Sequence, residues 1–73
     1  MRNLRNTRRA VEVEHPGYAD GFGVRTGTTW RLVVTLASVD GDAIEAHRCA
    51  SEYAYEFGGS VVPFRWQHGR AAA

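Results

Sequence analysis

Apolar and polar positions alternate with period two at the start of the patterned region, where Val11 and Val13 interleave with Ala10, Glu12 and Glu14. That is the pattern of a strand with one face against a core. His15-Pro16-Gly17 ends it, because proline has no amide to donate and Pro-Gly favours a turn. A second short strand is predicted from Phe22 to Arg25, closed by a Thr26-Gly27-Thr28 hairpin loop. The third has the clearest alternation, with Trp30, Leu32, Val34 and Leu36 on one face and Arg31, Val33, Thr35 and Ala37 on the other. The period then changes. Ala43, Ala46, Ala50, Tyr53, Ala54 and Phe57 recur at spacings of three and four, one stripe of a helix from about Gly41 to Phe57. Ser38 or Asp40 can cap its start, Asp40 and Asp42 suit its positive end, and Gly58-Gly59 stops it. A last strand is predicted from Ser60 to Trp66, where Pro63 argues for an edge position or a bulge.

This order predicts an α+β fold of β-β-β-α-β layout: a three-stranded antiparallel meander, one helix packed on one face, and a fourth short strand. The fourth strand is expected to run parallel to strands three and one, beside strand one. Residues 1–8 read as a flexible basic arm, 9–67 as a single domain and 68–73 as a disordered tail. Seventy-three residues hold one domain. A chain of this size buries roughly 60% of its unfolded surface, so a second copy or a partner is a natural source of stability.

Charge changes the picture, because it is unevenly spread. Arg2, Arg5, Arg8 and Arg9 precede the first acid, Glu12, so a basic segment leads a mildly acidic body within a net charge of +1. All nine basic residues are arginine. Codon usage in a GC-rich genome accounts for that, as does a preference for guanidinium at phosphate or base contacts.

Candidate chemistry is sparse. His15, His47, His68 and Cys49 show no metal-ligand spacing, and His47 and Cys49 point to different sides of a helix, so no metal is expected. Asp40-Gly41-Asp42 lacks the remaining ligands of a calcium loop and reads as helix capping. There is no nucleophile elbow and no phosphate loop, so no catalytic residue, cofactor or enzymatic activity is expected. Cys49 reads as a small, buried apolar residue. With no long apolar run, no signal-like segment and a lone cysteine, a cytoplasmic setting without membrane contact is expected.

With Trp30, Leu32, Val34, Phe22 and Phe64 turned to the helix, parity puts Arg25, Arg31, Thr35 and Arg65 on the open sheet face. Those three arginines and the arm (Arg2, Arg5, Arg8, Arg9) suit a nucleic-acid backbone or groove. Glu12 and Glu14 share that face, so cross-strand ion pairing explains the same arginines. Ile44 and Tyr55 lie nearly opposite the alanine stripe, as a partner surface would.

Residues 20–70 carry Gly21-Phe22-Gly23-Val24, a helix opening Asp42-Ala43-Ile44-Glu45-Ala46, the Gly58-to-Val62 step and an ending His68-Gly69-Arg70. In these the chain resembles an uncharacterised family of small bacterial β-β-β-α-β proteins, whose common ending is Asp-Gly-Arg. The resemblance implies the fold. The long Gln/Trp/Arg ending, Pro63 and Cys49 depart from that pattern. In layout the β-β-β-α part is similar to the arm-type DNA-binding domains of phage integrases and of plant ethylene-response proteins. That similarity implies groove reading by Arg25, Arg31 and Arg65. The sequence expectation is therefore a small non-enzymatic nucleic-acid-binding module. The alternative is a protein-interaction or homodimerising domain.

Overall fold

The structure, a computed structural model, describes residues 7–69. It has the α+β class and the β-β-β-α-β order: β1 (Thr7–Glu12), β2 (Gly21–Thr26), β3 (Thr29–Thr35), α1 (Ala43–Phe57) and β4 (Ser60–Gly69). Short 3-10 turns at Pro16–Tyr18 and Leu36–Val39 fill two of the connections.

The strand order is β1-β4-β2-β3, antiparallel throughout. The expected meander is corrected here: β2 and β3 form a hairpin, but β1 pairs only with β4. β4 lies beside β1, as expected, but antiparallel to it. It runs parallel to β3 with β2 between them. The reason lies in lengths. β4 is the longest strand rather than a short one, with ten residues, and it has two half-length partners on opposite sides. Glu12 and Gly21 both face Phe64, so β1 runs along one side of residues 64–69 and β2 along the other side of 60–64. The chain leaving β1 therefore steps across β4 in the connection 13–20 and continues in the same direction, with no return path to close.

Pro63 sits in this central strand, not at an edge or bulge. The proline rule still holds locally. Its carbonyl accepts from the Val13 amide at 3.1 Å, so its missing N–H also faces the side where β1 has just ended. The boundaries of arm and tail shift too. Thr7 pairs with Gly69 and Arg8 with His68, so each segment orders the other into a two-stranded ribbon.

The β2–β3 hairpin closes through two residues, with Gly27 at φ 61° in the first loop position, where a type II′ turn places glycine. β3 ends at Thr35 and not Ala37, because the Thr35 hydroxyl accepts from the Ser38 amide at 3.2 Å and starts a 3-10 turn. Asp42, not Ser38 or Asp40, caps α1, accepting from the Glu45 amide at 3.1 Å.

Of the helix stripe, Ala46 and Ala50 are fully buried, and Tyr53 and Ala54 are half-buried. Ala43, at the first turn, and Phe57, at the last residue, are exposed, and the Phe57 ring packs on Tyr53 at 4.7 Å. The helix lies on the face of Phe22, whose ring meets His47 at 5.0 Å edge to face. Val24, fully buried, shares that face. The other large fully buried side chain, Phe64, opposes Gly21 and so lies on the opposite face. The core thus has a layer on each side of the sheet. No helix among the described residues is long and apolar enough to cross a membrane.

Candidate nucleic-acid interface

The face turned away from α1 is built around glycine. Gly23 alternates with Phe22 and Val24, so any side chain there would project away from the helix. A Cβ built on Gly23 meets the indole of Trp30 at 2.6 Å. Trp30 therefore lies on the open face and not beneath the helix, which corrects its expected side. The cause is a bulge. Val24 faces Leu32 but Arg25 faces Trp30, so β3 has one extra residue, Arg31, and the alternation slips there. Leu32 and Val34 keep the helix side that periodicity gave them, opposite Val24 and Phe22. Phe64 is corrected with Trp30, because Pro63, not Phe64, opposes Phe22.

Three aromatic rings follow in a row on this open face. Trp30 meets Phe64 at 6.0 Å and Phe64 meets Trp66 at 5.2 Å, both edge to face. Phe64 is buried beneath two half-exposed indoles. Each indole has a guanidinium over it: Arg8 at 4.3 Å from the centre of Trp66, and Arg25 at 5.7 Å from that of Trp30. Glu12, also on this face, binds Arg25 at 2.7 Å. The ion pair anticipated as the plainer explanation of Arg25 is therefore present. Shallow hollows open beside both indoles, one bordered by Arg8, Asp20 and Leu36, the other by Ala10, Glu12 and Thr28.

Asp20 holds the Trp66 end in place. The Trp66 amide points to the side of β4 where β2 has not yet begun, and the Asp20 carboxylate accepts from it at 2.8 Å. The Asp20 backbone bonds outward as well, its N–H to Phe64 and its carbonyl from Leu36, each at 2.8 Å. One residue thus stands in for a missing stretch of strand.

The predicted three-arginine patch is not brought together. Arg25 is on the open face, paired with Glu12. Arg31 is the exposed bulge residue. Arg65 opposes Val11 on the other face. Arg8 and Arg9 belong to β1 and not to a flexible arm, and they point to opposite faces, Arg8 to Trp66 and Arg9 to Gln67, whose Oε1 accepts from Arg9 Nε at 3.3 Å. Arg2 and Arg5 lie outside the described residues. Reading from sequence missed Trp66 and Asp20. The alternation Phe64, Trp66 was a usable signal for the first; for the second there was none, since its role depends on a strand end distant in sequence.

On the outer face of α1, Ile44 is 83% exposed and Tyr55 95%. Between them, Arg48 bonds to Glu45 and Glu52. The Arg48 guanidinium holds the Glu45 carboxyl below its ordinary range and is itself held firmly protonated. Cys49 is half-buried rather than buried; its thiol is pushed up by burial first and then by the Glu45 carboxylate, which accepts from Sγ at 3.5 Å. Among the described residues no three His, Cys, Asp or Glu side chains gather as metal ligands would.

Compared with models of protein families, with curated proteins and with solved structures, the chain matches none. Function therefore has to be argued from the site.

Proposed function

We propose that the chain is a small non-enzymatic nucleic-acid-binding module, using the sheet face turned away from α1 together with the β1–β4 ribbon. The observation that carries this reading is the pair of half-exposed indoles on one face, each with an arginine over it. A guanidinium takes a phosphate by charge and bidentate hydrogen bonds, and an indole takes a base by its π-face. The ribbon adds basic character on both faces, with Arg8 on one and Arg9 and Arg65 on the other. Ion pairs among the described residues engage Arg25 and Arg48, leaving these three for a polyanion.

Affinity for nucleic acid measured across a salt series tests the reading. Log affinity should fall linearly with log salt, and Arg8→Ala or Arg9→Ala should each flatten the slope by about 0.7–0.9. Absence of binding at low salt overturns it.

A second reading rests on a separate observation. Along the outer line of α1, Ile44, Arg48, Glu52 and Tyr55 are nearly self-complementary about residue 50. Two copies packed with antiparallel helices would set Ile44 against Tyr55 and Arg48 against Glu52 of the second copy, as an isologous contact requires.

A further inference from the structure

Resting on the nucleic-acid reading, we propose that the ligand is single-stranded, and that two unpaired bases stack on Trp66 and Trp30, one on either side of the buried Phe64. The two indoles lie on one face, at most about 11 Å apart through the shared Phe64 ring. Each is only partly buried, which leaves some of the residue accessible to a planar partner. Bases inside a duplex are already stacked on their neighbours and offer edges, not faces, to a sheet. Unpaired bases offer faces, and base–aromatic stacking tolerates any sequence. Arg8, 4.3 Å over Trp66, extends that stack or turns to the adjoining phosphate. The glycine floor matters here too: Gly23 leaves room for the Trp30 indole to pack close against the strand, so its position is set by the fold before a ligand arrives. Glu12 occupies Arg25 at 2.7 Å, which keeps net positive charge at the Arg8 end and sets the backbone's path along the ribbon.

The chain has two tryptophans, and both belong to this site, so intrinsic fluorescence reports on it directly. The full chain is titrated with a short oligothymidylate, with a duplex of the same length, and with inorganic polyphosphate, which has charge but no bases. Quenching and at least tenfold tighter binding by the oligothymidylate than by either competitor are expected. Trp66→Ala should weaken that binding by roughly 5- to 100-fold, the range for losing one stacked base. Trp66→Phe, which retains a ring against Phe64, should recover most of it. Trp66→Ala loosens the packing over Phe64, so the Phe variant and a circular-dichroism check separate lost stacking from lost fold. Equal or tighter binding of the duplex, or unchanged binding by Trp66→Phe and Trp66→Ala alike, overturns the single-strand proposal and leaves the nucleic-acid reading standing. Equal binding of polyphosphate overturns base stacking and leaves charge alone as the source of affinity. Failure of all three ligands to bind overturns both readings.

Discussion

Gly23 has no side chain, and the Trp30 indole takes the space one would occupy. Gly23→Ala forces that ring or the strand behind it to move, since the Leu32 carbonyl is also only 2.9 Å from the built Cβ. Overpacking of this kind costs roughly 1–3 kcal/mol. The urea midpoint should fall with an unchanged m-value, and tryptophan emission of the folded variant should shift to the red. An unshifted midpoint would mean that Trp30 does not lie over Gly23. Cys49 gives a second expectation. With its pKa raised, the thiolate fraction at neutral pH is below that of a free cysteine, so alkylation of the folded chain should be slower and should accelerate at higher pH than for the free thiol. Alkylation at the free-thiol rate would count against this. At this scale the sequence was legible where alternation ran unbroken, as at Val24, Leu32 and Val34. It misled at Trp30, because one extra residue at Arg31 reverses every side chain before it and a bulge leaves no periodic trace.

Elements were legible in kind and less so in partner. The helix, its Gly58 end and the Gly27 hairpin follow from local signals: period, capping and turn chemistry. Strand pairing is non-local, and period two is the same whether a strand lies at an edge or in the middle. Pro63 pointed to an edge, and only the register of Glu12 against Phe64 reveals that a central strand can have a local edge at that residue. The Asp20 bond to Trp66 belongs to this scale, because it fastens the ribbon to the hairpin. Asp20→Ala leaves that amide without its acceptor, at a cost on the order of 1–3 kcal/mol. Faster hydrogen exchange of the Trp66 amide is expected, with Asp20→Asn, which retains a side-chain carbonyl, nearer to wild type. Equal exchange rates in all three proteins would show that the ribbon is held by its ladder alone.

At the scale of the molecule, four apolar side chains among the described residues are fully buried, Val24, Ala46, Ala50 and Phe64, and two of those are alanine. A core this small supports a stability on the order of 5 kcal/mol, and concealment of Ile44 and Tyr55 in a second copy would add to it. Sedimentation equilibrium decides the point. A dimer that dissociates on Tyr55→Glu would establish α1 as the interface, while a monomer at high concentration removes the homodimer reading and leaves the sheet-face proposal untouched. The two surfaces are on opposite sides of the molecule, so both can operate together. The site itself was half legible: arginine was anticipated as its chemistry, but the patch that recruits it is aromatic, and the arginines that join it are Arg8 and Arg25 rather than the trio of Arg25, Arg31 and Arg65.

The central position of β4 also dictates an order of events in biosynthesis. The strand that joins β1 to the rest of the sheet is translated after α1. A nascent chain halted before Ser60 can close the β2–β3 hairpin, but β1 has nothing to zip onto until residues 60–69 emerge. Folding of this chain should therefore be a late, concerted event with slow, topology-limited kinetics, and fragments lacking residues 60–69 should remain protease-sensitive throughout β1.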